Sequence, residues 1–144
     1  EEPYAKFKRN GAVELYYNGL KRFQTTAVGA AVDGALFVSG NITAFTGSDK
    51  RLKDNITPIP NAVDKVLSIS GNTFNWNEKS DYEGKADTGV IAQEIEALDL
   101  PGVTATRDDG YKAVRYERLV PLLIEAIKEL KEEVNDLRSQ IQKD

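Results

Sequence analysis

Few side chains in this chain could carry out chemistry, because its 144 residues include neither cysteine nor histidine. That excludes a thiol nucleophile, a thiolate or imidazole metal site, a disulfide framework and the commonest general base. Any catalysis has to use serine, threonine, lysine or carboxylates. One segment offers such a pairing: Ser48-Asp49-Lys50-Arg51-Leu52-Lys53 places a hydroxyl five residues before an amine. A serine–lysine pair can run nucleophilic acyl transfer without histidine, provided burial or a neighbouring cation favours the neutral lysine. Lys50 and Arg51 are the candidate cations. The spacing alone is a weak signal, since a polar segment of this kind is far more often an exposed turn than a dyad. Asp49, Asp54 and the other carboxylates have no metal-ligand spacing and no glycine-rich phosphate loop occurs, so no cofactor and no metal are expected.

The elements around this segment must come from a chain with a globular balance, 40% hydrophobic and 29% charged. No apolar run approaches the roughly 20 residues that span a bilayer, so no membrane partner is expected. The net charge of -4 gives no electrostatic footprint for nucleic acid. The sequence opens Glu1-Glu2-Pro3, without methionine or a basic-then-apolar leader, and is expected to be a piece of something longer.

Periodicity divides the chain into three stretches. From Tyr4 to Phe45, small residues and alternating apolar positions, such as Val13 and Leu15 or Leu36 and Val38, read as short strands. Asn18-Gly19 between two apolar groups is a two-residue hairpin signal, because both turn positions need positive φ. Gly29, Gly34 and Gly40 then separate short apolar groups that bury little within one chain. A fibre-like arrangement completed by partner chains and a small meander packed on the rest of the domain fit this segment equally well. From Ser48 to Tyr116 the pattern is that of a compact α+β unit. Asn61 is the expected N-cap of a short helix with Val63, Val66 and Leu67 on one face. Phe74 and Trp76 alternate on one strand face as core aromatics, and Ala92–Leu98 forms a second short helix. Arg107-Asp108-Asp109-Gly110 turns a hairpin with glycine at the positive-φ position.

From Glu117 onward Leu123, Ile127, Leu130, Val134, Leu137 and Ile141 are spaced 4, 3, 4, 3, 4, a heptad seam with leucine at d and β-branched residues at a. Pro121 suits a first helical turn, and Glu133 at g and Arg138 at e are the positions that meet across parallel helices. About three heptads is more seam than a small α+β core covers, so this helix is expected to associate with copies of itself. The choice of a and d residues alone favours two strands over three.

Five blocks taken together carry a resemblance. Ser48-Asp49-Lys50-Arg51-Leu52-Lys53-Asp54-Asn55-Ile56, Phe74-Asn75-Trp76, Gly89-Val90-Ile91-Ala92-Gln93-Glu94-Ile95, Gly110-Tyr111-Lys112-Ala113-Val114-Arg115-Tyr116 and the run from Leu119 to Leu130 resemble, in order, the C-terminal intramolecular chaperone autoprotease of phage tailspikes and tail fibres, the endosialidase type. The resemblance implies a homotrimer that templates an intertwined β-structured passenger of the same chain and then releases itself by cutting at the serine. Ser48 would be the nucleophile and Lys53 its base, with the cut between Gly47 and Ser48 or, alternatively, between Ser48 and Asp49. It implies a division into passenger end (1–47), α+β chaperone core (48–116) and trimerising helix (117–144). It also implies a tail-fibre precursor of a virion, assembled in the host cytoplasm. The implied trimer outweighs the dimer-like seam, because a short helix anchored on a globular domain need not follow isolated coiled-coil preferences.

Two other readings stay open at the level of sequence. One is a non-catalytic oligomerisation or fibre-tip module in which Ser48 and Lys53 are inert. The other is the autoprocessing domain of a membrane-tethered transcription factor, although nothing basic precedes Ser48.

Overall fold

A computed structural model of the chain describes residues 4–142. The chain forms two compact units, Glu1–Leu52 and Lys53–Asp144.

In the first unit an antiparallel meander runs β1 (Ala5–Phe7), β2 (Val13–Tyr17), β3 (Leu20–Thr26) and β4 (Gly29–Val32), each strand paired with the next. The expected hairpin is there: Asn18 and Gly19 take φ of 50° and 73°, and Tyr17 pairs with Leu20 across them. Paired positive φ values give the turn a twist that matches the strands. The strand expected around Leu36 and Val38 does not form, and residues 33–49 carry neither strand nor helix. Alternation says which face a strand would show, but a strand also needs a neighbour for its backbone hydrogen bonds, and the meander supplies none to this segment.

Among the described residues of this unit the one buried side chain is a carboxylate. Glu14, 6% exposed, accepts hydrogen bonds from Lys8 Nζ and Tyr16 Oη, each at 2.9 Å, with Lys21 Nζ at 3.8 Å. The bond from Lys8 and then that from Tyr16 hold the Glu14 carboxyl below the usual carboxylate range. Phe7, Tyr17 and Leu20 are exposed, so the sheet encloses no apolar core of its own.

The second unit does enclose one, and it is the expected α+β arrangement. Helix α1 (Ala62–Leu67) leads to the antiparallel pair β5 (Gly71–Asn75) and β6 (Ala86–Val90), followed by helix α2 (Ala92–Ala97). A second hairpin, β7 (Thr104–Thr106) and β8 (Lys112–Val114), then runs through a 3₁₀ turn (Tyr116–Leu119) into the 22-residue helix α3 (Val120–Ile141). Pro121 sits in the first turn of α3, where a missing N–H costs least, and Gly110 turns the β7–β8 hairpin at φ 83°. Ile95 and Leu122 are the largest fully buried side chains, with Ala62, Leu98, Val103, Leu119 and Ala126 around them.

Two core expectations shift. On α1 the buried residue is Ala62, with Val63 and Val66 partly covered, while Leu67 is 77% exposed. At 100° per residue Leu67 falls past the edge of the stripe that Ala62 and Val66 define. Phe74 and Trp76 do share a face, with ring centroids 5.2 Å apart edge to face, but they lie outside the core. Trp76 is 37% exposed and donates from Nε1 to Asp87 Oδ2 at 3.2 Å. Of this hairpin only Val90, at the far end of β6, packs against the core.

Candidate functional site

The Ser48–Lys53 segment is built from local hydrogen bonds. Asp49 starts a 3₁₀ turn (Lys50–Leu52): its backbone carbonyl accepts from Leu52 N at 3.1 Å and its Oδ1 from Arg51 N at 2.8 Å. The Arg51 guanidinium closes on the same carboxylate through Nε at 3.0 and 3.2 Å and Nη2 at 2.7 Å. This bond raises the Arg51 pKa further. One of the two cations expected to act on Lys53 is thereby engaged by Asp49. Ser48 and Lys53 are both exposed in the single chain. Gly47 shows no left-handed backbone, and a Cβ there would meet nothing within 4 Å. Gly47 and Ser48 lie in the first unit and Lys53 opens the second.

Two of the blocks noted in the sequence meet beside the core. Tyr116 reaches from the 3₁₀ turn to the end of β6, where its Oη accepts from Val90 N at 3.2 Å. A Cβ on residue 89 would lie 2.5 Å from that oxygen, so glycine is required at Gly89. Glu94 on α2 accepts from Ser70 N at 2.8 Å and from Ser70 Oγ at 2.8 and 3.1 Å, pinning the start of β5.

The N-terminus of α1 departs from expectation. Asn61 occupies the N-cap position but is left-handed (φ 52°, ψ 46°), and its side chain makes no capping bond. The two free N–H groups that follow are taken by a residue far along the chain: Ala62 N donates to Glu129 Oε1 at 2.9 Å and Val63 N to Glu129 Oε2 at 2.8 Å. Those bonds, Ala62 first, hold the Glu129 carboxyl below its usual range. Sequence reading missed Glu129 because it stands at heptad position c, where a glutamate looks like solvated charge.

Helix α3 therefore has two working faces. Leu122, Ala126 and Glu129 face α1 and the core. The seam residues Leu123, Ile127, Leu130, Val134, Leu137 and Ile141 lie about 90° around the helix by the 100°-per-residue rule, and they are 41–74% exposed. Among the described residues no cluster of acidic side chains has metal-binding geometry, and no helix is long and apolar enough to cross a membrane.

Residues 48–104 match a family named as a peptidase and described as chaperone of endosialidase. The match begins at Ser48 itself and takes in three of the five blocks. Over most of its length the chain is similar to long tail fibre proteins called Gp37. It is 31% identical over 142 residues to that of Enterobacteria phage T2, covering 92% of this chain and 10% of the relative. The figures for Enterobacteria phage K3 are 31% over 142 residues, 92% and 11%. For Salmonella phage S16 they are 34% over 101 residues, 65% and 13%. The chain thus spans about a tenth of the length of the curated relatives it matches over most of its own length.

Proposed function

We propose that this chain is the end of a phage tail fibre together with its intramolecular chaperone, divided into passenger (1–47), chaperone core (48–116) and trimerising helix (117–144). Three copies associate through the α3 seam, hold three passenger segments in register, and then cut themselves free at Ser48. The setting is a virion tail-fibre precursor assembled in the host cytoplasm, as the fibre relatives and the chaperone family suggest.

The observation that carries this reading is the second face of α3. Its first face already fills the core of its own chain, so the six apolar seam residues have no use within the monomer. Burying them takes another copy of the helix. The first unit poses the complementary problem, a sheet with apolar side chains exposed and only a carboxylate buried. Such short strands order slowly and at risk of misassembly unless something raises their local concentration. Removing the template after folding makes the product's stability kinetic, since it can no longer unfold by the route that formed it.

In the cut, Ser48 Oγ attacks the carbonyl carbon of Gly47 while Lys53 Nζ takes the hydroxyl proton. The tetrahedral intermediate collapses by breaking the Gly47–Ser48 C–N bond, and Lys53 returns the proton to the departing Ser48 nitrogen. The acyl group now sits as an ester on Ser48 Oγ. Water hydrolyses it, leaving a carboxylate on Gly47 and Ser48 as the new N-terminus. Lys53 has to be neutral for the first step, and its exposure in the single chain leaves its desolvation to assembly. The same exposure, with Arg51 bound to Asp49, favours the second reading of a fibre-tip module without catalysis. Intact mass of wild type beside Ser48→Ala and Lys53→Ala, with sedimentation equilibrium on each, separates the two. Wild type splitting at residue 47 as a trimer supports self-cleavage, whereas three intact trimers leave only the fibre-tip module.

A further inference from the structure

Resting on the self-cleavage reading, we infer that Glu129 is a positioning residue for the cut: by holding the N–H groups of Ala62 and Val63, it fixes one end of the segment that carries Lys53 and ties the lysine's placement to the order of α3. Helix α1 has six residues, too few to hold itself, and its own N-cap side chain contributes no bond. The carboxylate of Glu129 replaces that cap with both oxygens.

The connection from α1 back to Lys53 is short and stiff. Eight residues separate positions 53 and 62, and two of them, Pro58 and Pro60, have φ fixed by their rings. Ile59 packs on the core, and Lys65 Nζ donates to the Pro60 carbonyl at 2.6 Å. A shift of α1 is therefore passed toward Lys53 instead of being absorbed by a slack loop. On the other side, Glu129 is adjacent in sequence to Leu130 of the seam, so association that orders the seam also sets Glu129. Assembly and the placement of the lysine are joined through one carboxylate.

Two substitutions at Glu129 grade the loss of the cap. Lys65 attracts its carboxylate, and Asp64, Glu132, Glu133 and Asp136 line the groove beside it. Glu129→Gln removes the charge and keeps a single acceptor for the two N–H groups, so it weakens the cap without abolishing it. Glu129→Ala removes both acceptors. In the full chain both variants should stay trimeric by sedimentation equilibrium, and the Ala62 and Val63 amides should exchange faster in the order wild type, Gln, Ala. Self-cleavage followed by intact mass should slow in the same order, by roughly tenfold or more for Ala, the scale on which small misplacements of a catalytic group cost rate. Trimeric Glu129→Ala cleaving at the wild-type rate would overturn the inference, as would loss of the trimer in Glu129→Gln, which would assign the residue to assembly. A wild type that never cleaves sinks the self-cleavage reading instead, and unchanged exchange at Ala62 and Val63 in Glu129→Ala overturns the cap on its own.

Discussion

The hydroxyl of Tyr116 stands 2.5 Å from the point that a Cβ on Gly89 would occupy, and it accepts the N–H of the next residue, Val90, at 3.2 Å. The first turn leading into α3 is thus fastened to the last residues of β6 at a place where only glycine fits. Gly89→Ala should cost about 1–3 kcal/mol, the usual scale of overpacking. Tyr116→Phe should cost about 0.5–1.5 kcal/mol for the lost hydrogen bond. The double variant should be less destabilised than the sum, because phenylalanine removes the oxygen the new methyl would strike while the ring carbon beneath stays at 3.7 Å. Urea midpoints for the four proteins of the cycle measure this; additive losses would show that the contact does not set the requirement for glycine.

The seam of α3 gives a prediction about assembly. Leu130→Asp places a carboxylate in the shared interior, at a cost on the order of several kcal/mol per chain. Sedimentation equilibrium should then find monomer for the variant and the proposed trimer for the wild type. Glu132→Ala, off the seam, should leave the trimer intact.

Glu14 gives a prediction about pH. Its folded carboxyl is held below the usual range by Lys8 and Tyr16, with Lys21 adding its charge. A depressed folded pKa means that its contribution is complete above the unfolded carboxylate range and is lost as pH falls through the lower folded value. The Glu14 side-chain carbon, followed by NMR, should titrate with a midpoint below that of an ordinary glutamate. A midpoint at or above the ordinary value would mean the Lys8 and Tyr16 bonds do not persist in solution.

Cleavage should rise with pH, since the base acts only as neutral lysine, and its rate in the trimer should not depend on protein concentration or on added protease. N-terminal sequencing of the C-terminal fragment should read Ser48-Asp49-Lys50. A sequence starting at Asp49 moves the cut one bond on, and undiminished cleavage by Lys53→Ala removes the lysine from the mechanism.

Much of this fold was legible in the sequence where a local rule decides the backbone. Asn18-Gly19 and Gly110 specify their turns because few residues accept positive φ. The heptad spacing marks α3 because a period of 3.5 has few other uses. What was not legible depends on partners distant in the chain. Nothing near Asn61 says that its capping role passes to Glu129, or near Trp76 that its face of the hairpin stays outside the core. The strand expected at Leu36 and Val38 failed for the same reason, since alternation carries no information about who stands alongside. At the candidate site, the Ser48–Lys53 spacing was readable, but the closing of Arg51 onto Asp49 was not, because either neighbouring cation satisfied the pattern equally.

The quarter-turn between the two faces of α3 makes the helix an axle with a set phase. Leu122 and Ala126 are buried in the body of their own chain and Glu129 caps α1, while the seam from Leu123 to Ile141 stays exposed. Deleting one heptad, Lys131 to Leu137, shortens the axle and changes its phase by only about 20°. Inserting a single residue after Leu130 leaves its length almost untouched but swings Val134, Leu137 and Ile141 by about 100°. The shorter helix should then still drive the three bodies into one orientation, while the longer one holds its seam in two pieces that point different ways. Angular phase, more than helix length, should decide whether the proposed trimer forms.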